Sequence, residues 1–196
     1  MENIWIYIFR KVAKISLYNK LQLSGKCKSI YFAFQKNRQP QKILHPKNME
    51  LEVYEATHKA TAMVLTCIDY RFIQTAIDYL EASVLDDKFD LTTLAGASLG
   101  FNQKKFKCWK ETFEQLTKLA IELHSITEII VIDHMDCGAY ALLYPGLVKN
   151  SEEERKLHIK NIFKFIKTLK HKKRFRKLSY RGFLINLDQS VEKVYE

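Results

Sequence analysis

EIIVIDHMDCG, residues 128–138, is a short apolar run dense in β-branched residues that ends abruptly in His134, Cys137 and a glycine. The run 128–133 is long enough for a strand and too short for an ordinary globular helix. Its lack of polar alternation predicts a strand buried on both faces. From Gly138 to Leu143 the pattern opens a helix, and Gly138 permits the tight turn between the two. Upstream, ATAMVLTC (60–67) repeats the strand pattern and ends in Cys67. A helix is expected from Phe72 to Leu85 on the spacing of Ile73, Ala76, Ile77, Leu80 and Val84. DLTTLAG (90–96) predicts a second strand, closed by Gly96. Trp109 to His124 predicts an amphipathic helix with Phe113, Leu116, Leu119, Ala120 and Leu123 on one side. Downstream, Ser151 caps a long helix with acids in its first turn, and GFLINL (182–187) predicts a last strand. Strands and helices in this alternation specify an α/β fold: a mainly parallel β-sheet of four to five strands flanked by helices.

A chain of 196 residues suits one core-forming domain and is short for two. No stretch approaches the roughly 18 apolar residues that a membrane helix needs, so the expectation is a soluble protein with no transmembrane segment. The net charge of +10 raises the question of nucleic acid, and its distribution argues against that partner. Residues 1–48 hold ten Lys/Arg against the single acid Glu2, a net +9, which leaves +1 for residues 49–196. A second basic run, KTLKHKKRFRK (167–177), reads as a solvated helix end. Residues 1–48 are therefore expected to be a basic extension, either disordered or targeting, ahead of a domain spanning 49–196. Four cysteines (Cys27, Cys67, Cys108, Cys137) without disulfide-framework spacing fit a reducing compartment with thiols free or metal-bound. The expected location is cytoplasmic, with an organelle reached through residues 1–48 as the alternative.

In open parallel sheets, ligands bind outside the carboxyl ends of the strands. Directly after the first strand comes Cys67-Ile68-Asp69-Tyr70-Arg71, and directly after the third comes His134-Met135-Asp136-Cys137-Gly138. Two thiols and an imidazole on one sheet edge are a ligand set that zinc favours, and three protein ligands leave a fourth position open, as in catalytic sites. The helix starting near Gly138 would lower the Cys137 thiol pKa with its free N–H groups. Asp69 and Arg71 can project to the same side of their turn, where the guanidinium would fix the carboxylate. The carboxylate could then accept a proton from a metal-bound hydroxide or itself close the metal site. Asp136 and Tyr140 flank the ligands and are candidates for orienting one or relaying protons. Cys108 and Trp109 read as packing residues at a helix start. His124 and His158 read as structural or exposed.

Taken together, Cys-x-Asp-x-Arg at 67–71 and His-x-x-Cys-Gly at 134–138 resemble the signature of β-class carbonic anhydrases, over about residues 60–190. The resemblance implies Zn2+ held by Cys67, His134 and Cys137, with Asp69 and Arg71 as a catalytic dyad. It implies reversible hydration of carbon dioxide to bicarbonate by a metal-bound hydroxide, in homodimers or larger assemblies. The sequence departs from the family after the second strand, where Thr93, Leu94, Ala95, Gly96 and Ala97 stand in place of an Arg-Asn-Ala-Gly-Asn stretch. No glutamine lies between Met49 and Thr66, and Tyr70 replaces a small hydroxyl residue. These changes leave the metal ligands in place and alter the walls around them. Two alternatives follow: hydrolysis of a related small molecule such as carbonyl sulfide or carbon disulfide, and a non-catalytic zinc-binding module of the same fold.

Overall fold

The structure is a computed structural model that describes residues 58–82, 88–149 and 151–196. The expected extension over residues 1–48 lies outside them, as does Val84. The chain runs β1 (Ala62–Cys67), α1 (Tyr70–Leu80), β2 (Phe89–Leu94), α2 (Ser98–Asn102), a 3-10 turn (Lys104–Phe106) and α3 (Lys107–His124). It continues through β3 (Glu128–His134), α4 (Gly138–Leu143), α5 (Glu152–Lys170), β4 (Ser179–Ile185) and β5 (Val191–Tyr195). Among the described residues no helix is long and apolar enough to cross a membrane.

The five strands form one sheet in the order β2-β1-β3-β4-β5. β1 pairs in parallel with both β2 and β3, β3 pairs in parallel with β4, and β5 returns antiparallel along β4. β1 and β3 are buried at every residue, as their unbroken apolar runs require. From β1 the chain proceeds to β2 on one side and, after α3, to β3 on the other, so a topological switch point lies between β1 and β3. In open α/β sheets that crevice is where ligands bind. Cys67 ends β1 and His134 ends β3.

Alternation along the strands separates two cores. Met63, Leu65, Ile129 and Val131 face Phe101, Phe113 and Phe165, whose rings pack edge to face. Val64, Ile130, Ile132 and Phe183 face the Phe72, Ala76 and Leu80 stripe of α1, which recurs every four residues. The sequence reading put Ile73 and Ile77 on that inner face, but they are only partly buried. On α3 the buried side is Phe113, Thr117 and Ala120, whereas Leu116, Leu119 and Leu123 are exposed. A further difference is β5, which follows the strand expected to be last.

At Gly100 the backbone approaches its neighbours closely: a Cβ there would lie 2.5 Å from the Ala95 carbonyl oxygen and 3.2 Å from the Trp109 ring. Gly100→Ala is therefore expected to destabilise the fold by about 1–3 kcal/mol, the usual cost of overpacking. Urea unfolding of the two proteins checks it.

Candidate metal centre

Asp69 N-caps α1 from an extended conformation, its carboxylate accepting the Arg71 backbone N–H at 3.1 Å. The Arg71 side chain turns back onto the same carboxylate, Nε donating to Oδ1 at 3.0 Å and Nη2 to Oδ2 at 2.7 Å. This is the bidentate geometry that suits guanidinium to carboxylate. It holds Asp69 below the ordinary carboxylate pKa range, chiefly through the hydrogen bonds from Arg71. The Arg71 guanidinium is in turn stabilised in its charged form by Asp69 and Asp136.

Cys67, His134 and Cys137 converge at the switch point, all buried, with their ligating atoms within 4.8 Å of one another. The two sulfurs are 3.9 Å apart and unbridged. Two thiolates bonded at about 2.3 Å to a tetrahedral ion stand about 3.8 Å apart, so the spacing suits one shared ion. His134 Nδ1 lies 2.9 Å from the Met135 carbonyl oxygen and so carries the proton that it donates there. Its Nε2 is buried among the sulfurs without a hydrogen-bond partner. That tautomer, with an outward lone pair and an anchored N–H, is how histidine binds metals. The ring is stacked on Phe72 at 4.3 Å and is almost fully buried. The donor set and its geometry thus fit a soft or borderline divalent cation.

The thiols titrate together. The hydrogen bond from Cys137 holds the Cys67 thiol well below its usual value, against the opposing effect of burial. The Cys67 thiolate and burial raise Cys137 strongly, although the N–H groups of Tyr140 and Ala139 act in the opposite direction. The lowering expected from the start of α4 is thus present at Cys137 as the effect of those N–H groups, set against the nearby sulfur and burial. A cation between them would relieve the repulsion that opposes a second thiolate.

Asp69 lies beside the cluster, with Oδ2 3.8 Å from His134 Nε2. Gly96, in the left-handed region at φ 73°, donates its N–H to Cys67 Sγ at 3.2 Å. The Ala-Gly turn after β2 therefore holds the Cys67 sulfur directly. Tyr70 points into solvent, 86% exposed.

A buried polar chain behind the cluster was not anticipated. Asp133 accepts the Ser98 backbone N–H at 3.1 Å, the Ser98 hydroxyl at 2.7 Å and the Tyr140 hydroxyl at 2.7 Å, and it faces His158 Nδ1 at 2.9 Å. On the far side of the ring, His158 Nε2 is 3.7 Å from Glu154 Oε1, which accepts the Cys137 backbone N–H at 3.3 Å. Tyr140 is therefore part of this chain, and burial with the nearby Asp133 charge raises its phenol well above its ordinary pKa. The available signal was the stripe Glu154, His158, Ile162 and Ile166, which puts two polar residues on the apolar face of α5. His124 serves elsewhere, 2.8 Å from Asp90.

The model of a family described as putative carbonic anhydrase matches residues 57–194. The chain belongs to that family. An uncharacterised protein of Rickettsia bellii (strain RML369-C) is 32% identical over 146 residues, 74% of this chain and 88% of its own length. Another, from Rickettsia conorii (strain ATCC VR-613 / Malish 7), is 32% identical over 159 residues, 79% of this chain and 84% of its own. The carbonic-anhydrase-like fold extends to solved structures. One belongs to a pair of tetrameric β-carbonic anhydrases from Sordaria macrospora, with TM-score 0.50 and 12% identity over 69% of this chain and 81% of that one. Another is the β-carbonic anhydrase CafA of Aspergillus fumigatus, with TM-score 0.51 and 12% identity over 71% and 78%. At that identity the likeness is one of fold, and the expected α/β class with a mostly parallel sheet is the one observed.

Proposed function

We propose that this chain is a zinc-dependent carbonate dehydratase that interconverts carbon dioxide and bicarbonate, with Cys67, His134 and Cys137 as ligands and Asp69 with Arg71 as the catalytic pair. The observation that carries the reading is the buried, unpartnered Nε2 of His134 facing two thiols 3.9 Å apart, next to an arginine-clamped carboxylate. Zinc, when bound, supplies a nucleophile from water at neutral pH and positive charge for the anion that forms.

The chain's own residues supply direction and proton handling. Asp69 Oδ2 would accept a hydrogen bond from the nucleophile, which keeps its proton, and so aim the nucleophile's lone pair at the substrate carbon. Arg71 keeps that oxygen ionised and in place, which the lowered Asp69 pKa supports. Phe72 covers one face of His134 and excludes water from that side of the ligand. We further propose that the protein works as a homo-oligomer, a reading supported by the tetrameric solved relatives.

Asp69→Asn keeps the shape and removes the ionised hydrogen-bond acceptor. It is expected to retain zinc while lowering hydration by about 10²–10⁴-fold, the range for loss of a positioned acid–base group. Stopped-flow hydration with zinc measured on the same samples tests this, and undiminished turnover would remove the assigned role from Asp69. Carbonyl sulfide and carbon disulfide, run as parallel substrates, separate this activity from hydrolysis of related molecules.

A further inference from the structure

Arg71 has a second carboxylate partner that the proposed reaction does not use. Its Nη1 donates to Asp136 Oδ2 at 2.9 Å, and its Nη2 donates to the Asp136 carbonyl oxygen at 3.0 Å. On its other side, Asp136 Oδ1 pairs with Lys149 Nζ at 3.2 Å. Asp136 sits between the ligands His134 and Cys137, in the left-handed region at φ 54°. A residue with a Cβ adopts that conformation at a cost, which the surrounding contacts must offset. What the backbone gains there is direction: both the carbonyl and the carboxylate of Asp136 point at one guanidinium. The result is a bridge from the loop after β3 to the loop after β1, which brings ligands from both strands and the dyad into one frame.

We propose that Asp136, braced by Lys149, is a positioning residue that locks the Arg71 guanidinium and through it holds Asp69 at the side of the metal position. The proposal rests on the catalytic reading of Asp69. It adds that a single arginine shared between two carboxylates, rather than the Asp69–Arg71 pair alone, sets where the orienting carboxylate stands. With side chains 17% exposed at Asp69 and Asp136 and 39% at Arg71, the pair alone would be open to competition from water, and a second anchor limits that.

Asp136→Asn is the informative variant, because asparagine also tolerates the left-handed backbone and retains the carbonyl contact, so the change isolates the charge. In the metal-free protein, exchange of the Arg71 Nε–H with water, followed by NMR, is expected to accelerate by at least about tenfold. That hydrogen is the one bonded to Asp69, so its loosening reports transmission through the guanidinium. In zinc-loaded protein the variant is expected to keep its metal and lose about 10–100-fold in kcat, the usual effect of an outer partner. Combined with Asp69→Asn it is expected to add little further loss, because both act through one group. Lys149→Ala is expected to move the exchange rate in the same direction by less. Unchanged Arg71 exchange in Asp136→Asn, or losses that multiply fully in the double variant, would overturn the proposal. If the unaltered protein hydrates no carbon dioxide, the functional reading fails by itself and the exchange measurement still decides the clamp.

Discussion

Cys67→Ser is expected to abolish stable zinc retention, with metal falling from about one ion per chain to a small fraction after dialysis. Serine preserves size and removes the soft, ionisable donor, and a neutral hydroxyl is a poor ligand for this cation. If zinc binding of about 10–16 kcal/mol is divided over four ligands, one thiolate accounts for about 2.5–4 kcal/mol, or roughly 10²- to 10³-fold in affinity. Cys67 also receives the Gly96 N–H at 3.2 Å and lies 3.9 Å from the Cys137 sulfur, so its loss affects the partner sulfur too. His134→Ala and Cys137→Ser should act similarly, whereas Asp69→Asn should not. Elemental analysis with competition against a chelator checks all four. Full zinc retention by Cys67→Ser would mean that the cluster at the sheet edge is not where the metal binds.

How much of this was legible in sequence depends on whether a residue's role is local. β1 and β3 announce themselves because strands buried on both faces need unbroken apolar runs, and their ends place Cys67 and His134 at the switch point. Asp69 and Arg71 are two residues apart, so their pairing could be anticipated. The Arg71–Asp136 contact joins residues 65 apart, and only the fold supplies it. α3 was misread because periodicity marks a stripe without saying what covers it. The helix buries Phe113, Thr117 and Ala120, with the Thr117 hydroxyl satisfied by the Phe113 carbonyl at 2.8 Å. β5 was missed because Glu192 and Lys193 interrupt an edge strand of five residues that is only partly buried. For His158 the sequence left structural and exposed roles both open, and it gave Glu154 no partner, because those partners come from the turn before α4 and from β3.

That buried chain leads to the largest expected effect on stability. His158 is fully buried between Asp133 and Glu154, and its ring packs 3.7 Å from the Tyr140 ring. Burial opposes its charged form, yet the two carboxyl groups outweigh burial and raise its pKa above the ordinary value of 6.5. His158→Leu has an apolar side chain of similar reach and leaves Asp133 and Glu154 without the imidazole between them. Removing one member of a buried ionic set costs about 3–5 kcal/mol, far more than the set itself contributes relative to an apolar replacement of every member. The sign of the pH effect follows from the raised pKa. The imidazolium contribution is fully present below about pH 6.5 and is lost as pH rises through the higher folded-state value. The stability gap between the unaltered protein and His158→Leu should therefore be widest near pH 6 and narrow toward pH 9. Urea unfolding at several pH values measures it, and a gap below about 1 kcal/mol, or one that grows as pH rises, would show that His158 is not the charged centre of this chain. Because Glu154 also receives the Cys137 N–H, the same substitution should weaken zinc retention in the folded fraction, linking the stability of the interior to the geometry of the metal ligands.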